Sequence, residues 1–283
     1  ALKDIKAKIG ATKRMNTVTR AMEAVSAVKM RKTQASAFAG RPYARAALSI
    51  LARLSGSSDL ARHPLAEARE VKRIALVVLT SDKGLAGGLN SGVIKAAAQV
   101  AAKHDVSAVT VFAYGKKGEE FFSRRGYAVA QSFENKRDDV PLSIMEELSG
   151  ELSRGFLAGE YDEVVAVYSN FKSTFEQAPT ARTLLPLSLS AISELVADIQ
   201  PVKGKWSDAP ATASPSSYDV EPAGENILSV LIPRLVAVSL YHMLLEAKAS
   251  EHSARMVAMK NASDNAKDLS KSLKLFYNRV RSE

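Results

Sequence analysis

The stretch VSLYHMLLEAKASEHSARMVAMKNASDNAKDLSKSLKLFYNRV, residues 238–280, decides the fold. Within it Val238, Tyr241, Leu245, Ala249, His252, Met256, Met259, Ala262, Ala266, Leu269, Leu273, Phe276 and Val280 follow one another at steps of three or four. That spacing keeps side chains on one face of a helix. Pro233 stands just upstream, either in the first turn or as a kink in a helix begun near Glu225. From there to the last residue is about 75 Å of helix at 1.5 Å per residue. A domain of this size needs no core helix of that length, so the segment projects.

The opposite end of the chain repeats the theme. Residues 1–57 read as one helix, rich in Ala, Lys, Arg and Met, with no proline before Pro42 and no glycine before Gly56 except Gly10 and Gly40. Met15, Val18, Met22 and Val25 form a stripe too thin to bury the helix in a globular core. It suits a narrow coiled-coil seam. Between the ends, RIALVVLT (73–80), AVTVFAY (108–114), YAVAQSF (127–133) and EVVAVYS (163–169) alternate with helical stretches at 90–104, 115–125 and 141–158. Such alternation predicts βαβ units. A further extended piece follows at 181–189, and Pro201, Pro210, Pro215 and Pro222 mark a loop. The expected fold is α/β: a long antiparallel coiled coil of N- and C-terminal helices on a small Rossmann-like domain with a mostly parallel sheet. Its parts are residues 1–58, 59–222 and 223–283.

Charge follows the same division. Of the net +9, residues 1–34 carry +7, residues 246–283 carry +3, and the middle is close to neutral. Basic ends fit an acidic partner, nucleic acid or protein. The absence of cysteine removes thiolate catalysis and Cys-ligated zinc. The N-terminal ALKDIKAKIGATKR has no apolar core of signal-peptide type. ILSVLIPRLVAVSLYHMLL, residues 227–245, is nearly long enough to span a bilayer, but contains Arg234 and His242. An arginine near the centre of a span costs roughly 2.5–3.5 kcal/mol, so a buried soluble helix is the expectation.

TSDKGLAGGLN, residues 80–90, raises the question of a phosphate-binding loop between a strand and a helix. A P-loop needs G-x-x-x-x-G-K-[ST], and from Gly84 the chain reads GLAGGLNS, without that lysine. No G-x-G occurs in the loop either. Gly84, Gly87 and Gly88 then serve a tight turn, with Asn90 or Ser91 capping the next helix. His63, His104, His242 and His252 lack metal-ligand spacing, and the last two read as seam or core residues. The acidic pairs at 119–120, 138–139 and 146–147 read as solvated faces. The basic N-terminal helix lacks the aromatic interleaving of single-strand binders and the short helices of a helix-turn-helix. A nucleotide-binding α/β enzyme and a basic coiled-coil nucleic-acid binder remain the alternatives on residues alone.

LKDIKAKIGATKRMNTVTRAMEAVSAVKMRK, RPYA, TSDKGLAGGLN and EHSARMVAMKNASDNAKDLSKSLKLFYNRVR resemble, in order and spacing, the γ subunit of F-type rotary ATP synthases. The resemblance implies a central rotor shaft coupling proton-driven rotation of the c ring to ATP synthesis or hydrolysis on the β subunits. It implies no catalytic site and no bound cofactor in this chain, since ATP, ADP and magnesium sit on the α and β subunits. The implied partners are the α and β subunits, the ε subunit (δ in mitochondria) and the c-subunit ring. Nucleic acid is not among them, and the membrane is met only through the c ring. Met22 and Lys83 match family positions facing an acidic lever of β. Arg255, Arg279 and Arg281 match basic positions that face β. Tyr218 matches a foot position touching the c ring, within a loop longer and richer in proline than in many relatives. Without the two-cysteine redox insertion of the chloroplast type, the resemblance is to bacterial or mitochondrial forms. It implies a peripheral place on the cytoplasmic side of the bacterial inner membrane, or on the matrix side of the mitochondrial one.

Overall fold

The computed structural model describes residues 2–54, 58–199 and 225–282. Strands β1 (Ile74–Leu79), β2 (Val109–Tyr114), β3 (Ala128–Phe133) and β4 (Glu163–Ser173) run parallel, and β5 (Glu176–Leu185) returns antiparallel to β4. The order is β3-β2-β1-β4-β5. All six residues of β1 are buried, as expected of a central strand covered on both faces. Helices α3 (Leu89–Ala101) and α4 (Lys116–Arg124) cover one face, over Leu76, Val78, Val111 and Val167. Helix α5 (Leu142–Leu157) covers the other, over Val77, Phe112, Val164 and Tyr168.

Two long helices leave this body. They are α1 (Leu2–Leu54) and α7 (Glu225–Ser282), about 80 and 87 Å at the helical rise. Pro42 and Pro233 lie inside them. They run antiparallel. Asn16 Nδ2 donates to the Ser263 carbonyl at 2.7 Å, Gln34 Nε2 to Ser253 Oγ at 3.2 Å, and Arg41 Nε to Glu246 Oε1 at 2.8 Å. The first part of α7 differs from a coiled coil. Leu228, Ile232, Leu235, Val236, Leu240 and Leu244 join the core shared with α5 and the sheet. The apolar run that raised the membrane question is thereby spent inside the fold.

The seam departs from the expected stripe. Met15, Val18 and Val25 are 60, 57 and 58 % exposed, and their place against α7 is taken by Ile5, Thr12, Ser26, Thr33 and Ala37. On α7, Met259 and Ala266 face inward as expected, while Leu269 and Phe276 point outward and Ser263 and Ser270 replace them. The heptad period holds; on α1 its phase is turned by about one residue, or 100°, whereas on α7 only the far part of the stripe departs, with Ser270 inward in place of Leu269. Small side chains allow the helices to approach closely. A Cβ added at Gly40 would lie 2.9 Å from Leu245 Cδ1, so this crossing has no room for one without movement.

Two further elements differ from expectation. The segment at 181–189 closes the antiparallel edge strand β5, and a helix not anticipated, α6 (Leu189–Asp198), follows with Ser188 as its N-cap. The short helix α2 (Ser58–Arg62) lies ahead of β1.

Candidate functional site

An open doubly wound sheet takes its ligand outside the carboxyl ends of its strands, where the strand order reverses. Here that point lies between β1 and β4, and α7 occupies it. Ala247 and Glu251 face Leu79, Thr80, Asn90 and Ser169 across a remaining space of about 10 Å³, no more than one water requires.

The glycine-bearing loop after β1 is built for another purpose. Asn90 does not cap α3, whose N-cap is Gly88. Its side chain instead accepts from Ser81 N at 3.0 Å and donates to Ser81 Oγ at 2.7 Å, pinning the base of the loop. Asp82 Oδ1 accepts from Lys116 N at 2.9 Å and Asn135 N at 3.0 Å. Beneath the loop, Arg255 Nε donates to the Gly84 carbonyl at 3.3 Å and Nη2 to the Lys83 carbonyl at 3.4 Å. A phosphate cradle turns N–H groups inward; these two residues turn carbonyls toward a cation. Gly87 (φ +56°) takes the left-handed conformation that glycine allows, and so does Leu85 at φ +61°. For a leucine that conformation costs about 1–3 kcal/mol and persists only where the surroundings enforce it. The result is that Leu85, 60 % exposed, and the exposed Lys83 stand out from the loop.

Across from them runs α1. Met22, Val25 and Lys29 form one wall of a groove of about 860 Å³, and Lys83 and Leu85 form the other. Asp138, His252 and Arg255 lie along its floor. Arg255 is 8 % exposed and also paired with Glu251 at 2.9 Å, so it supports the loop from within. Lys83 forms no ion pair among the described residues. Arg279 and Arg281 are exposed in the last turn of α7, where cations complement the helix dipole. They lie beyond the Asn16–Ser263 contact by about 24 Å of helix, and so belong to the tip rather than the groove. Tyr218 lies outside the described residues.

Sequence reasoning missed the groove floor. Asp138 is not on a solvated face: it accepts from His252 Nε2 at 2.7 Å and pairs with Lys29 at 3.3 Å. Burial pushes its carboxyl up, but His252, Lys29 and Lys248 hold it below the ordinary value. Lys248, 2 % exposed, donates to the Asn135 carbonyl at 3.2 Å. Burial lowers its ammonium's pKa, with Glu251 and Asp138 opposing. Burial lowers His252 as well, against its hydrogen bond to Asp138. A lysine inside an apolar helical run is a legible signal of a buried partner, but sequence does not say which carboxylate supplies it.

These features define a class: a two-helix shaft rising from an α/β body whose ligand crevice is filled by the shaft itself, with an outward-facing apolar and basic surface. The family model for ATP synthase matches residues 1–283. The chain is 37% identical over 283 residues to the ATP synthase gamma chain of Pelotomaculum thermopropionicum, covering 99% of this chain and 93% of the relative. It is 39% identical over 285 residues to that of Roseiflexus castenholzii, covering 99% and 91%. The central stalk and c-ring structure of the Tetrahymena thermophila mitochondrial ATP synthase matches with TM-score 0.66 and 27% identity, over 87% of this chain and 99% of that one. The rotor of the Euglena gracilis enzyme shares the fold, with TM-score 0.65 at 15% identity over 99% of this chain and 97% of that one. The chain belongs to the ATP synthase γ family, the central shaft of the rotary ATP synthase.

Proposed function

We propose that this chain transmits torque through the groove walled by Met22 and Val25 on one side and Lys83 and Leu85 on the other. The observation that carries the reading is the outward apolar stripe of Met15, Val18, Val25 and Val28, each more than half exposed on a helix whose seam is already filled by other residues. Such a stripe beside basic side chains fits a sheath of other polypeptides with acidic elements. The α and β subunits supply that sheath, and an acidic lever of β meets Met22 and Lys83. Arg255 acts indirectly, holding the loop that presents Lys83. Arg279 and Arg281 meet β at the tip. The ε subunit (δ in mitochondria) and the c ring bind the body, with Tyr218 at the foot. The chain catalyses nothing itself and binds no cofactor, since nucleotide and magnesium stay on α and β. The complex sits peripherally on the energy-transducing membrane, facing the bacterial cytoplasm or the mitochondrial matrix.

Torque follows from differential contact. A shaft whose faces differ favours different β conformations as it turns, and only that difference shifts the β equilibrium. Met22→Lys tests this in the assembled complex. A new cation beside an acidic lever adds an ion pair of about 0.2–1 kcal/mol that each turn must break, a drag of up to about fivefold. The ratio of proton pumping to ATP hydrolysis is expected to fall, and an unchanged ratio refutes the placement of Met22.

A further inference from the structure

Three cationic or hydrogen-bonding side chains from both helices of the shaft converge on one carboxylate of the body. Asp138 lies in the loop between β3 and α5, which belongs to the sheet domain. Its Oδ2 is 3.3 Å from Lys29 Nζ on α1, and its Oδ1 is 2.7 Å from His252 Nε2 and 3.9 Å from Lys248 Nζ on α7. Asp138 is 16 % exposed by side chain, and His252 and Lys248 are 5 and 2 % exposed. Screening is weak at the buried His252 and Lys248 contacts, while the Lys29 contact is partly solvated. The same loop is tied to the neighbouring one through Asp82 and the Asn135 amide, and Lys248 holds the Asn135 carbonyl.

We propose that Asp138 is a positioning residue that indexes the shaft to the body. It clips the β3–α5 loop to α1 and α7 at one level and fixes the rotational phase of the groove relative to the sheet domain. The inference rests on the torque-transmitting reading above. Other contacts also hold the helices to each other and to the body, Arg41–Glu246 and Gln34–Thr174 among them; what sets this one apart is that a single carboxylate of the body bonds both helices at one level.

The test uses the full complex reconstituted in vesicles, with ATP-driven proton pumping and hydrolysis measured together. Torsional compliance is measured from the angular fluctuation of a probe on the body. Asp138→Ala is expected to raise compliance by about twofold and to lower the pumping-to-hydrolysis ratio. Lys29→Ala, which removes only the half-exposed α1 arm, is expected to move both readouts in the same direction by less. The double variant is expected to be no worse than Asp138→Ala alone, because the two residues act through one contact. Wild-type compliance in Asp138→Ala, or strictly additive effects in the double variant, overturns the proposal. If Asp138→Ala fails to assemble, Lys29→Ala with wild-type compliance overturns it equally. A wild-type complex that hydrolyses ATP without pumping counts against the rotor reading instead.

Discussion

Arg41 and Glu246 meet where α1, α7 and β4 join, with side chains 6 and 0 % exposed. The guanidinium donates twice to the carboxylate, at 2.8 and 3.0 Å, and once to the Phe171 carbonyl at 2.9 Å. Phe171 N returns a hydrogen bond to Glu246 at 3.2 Å. Removing one partner of such a pair strands a buried charge. Arg41→Ala is therefore expected to cost about 3–5 kcal/mol, read as a shift in the urea midpoint. His242 lies beside this pair, 5 % exposed, with neither ring nitrogen hydrogen-bonded among the described residues. Burial lowers its pKa below the ordinary 6.5, with Glu246 partly opposing. The unfolded chain therefore takes a proton near pH 6.5 while the folded one does not. Stability from this group is complete above pH 6.5 and declines as pH falls toward the folded value. His242→Leu is expected to flatten that part of the stability profile; an identical slope in the variant contradicts the assignment. The burial of His242 and His252 was legible from helical spacing. The Arg41–Glu246 pair was not, because its partners stand far apart in sequence.

At the level of elements, periodicity was readable and phase was not. The sequence rule assigns the larger apolar residues to the seam, Met15, Val18 and Val25 among them. In this two-helix shaft Thr12, Ser26, Thr33 and Ala37 fill much of the inside beside Ile5 and Met259, and Met15, Val18 and Val25 go outward. One cross-helix polar contact in that seam is Asn16 Nδ2 to the Ser263 carbonyl. Asn16→Ala is expected to cost about 1 kcal/mol, and to do so locally. Faster amide exchange confined to the turns around residues 16 and 263 is the predicted result, whereas uniform acceleration across the body contradicts it. The sheet strands were legible because each is a run of apolar residues between turn signals. The antiparallel course of β5 and the existence of α6 depend on what they pack against, which a single sequence does not display.

Across the whole molecule, the carboxyl edge of the sheet grips a helix where such sheets usually take a ligand. The loop after β1 holds α7 through Arg255, the loop after β3 holds both helices through Asp138, and the β4–β5 turn reaches α1 through Thr174 and Gln34 at 3.2 Å. Body and shaft are thus joined by side-chain contacts on several sides, as a part that carries torque requires. Rotation itself is the most direct test. The chain has no cysteine, so Lys103→Cys, in the exposed turn after α3, gives a unique attachment point for a probe. With the catalytic ring immobilised and ATP supplied, the probe is predicted to turn in one direction for as long as hydrolysis continues. A probe that stays fixed while ATP is consumed contradicts the account.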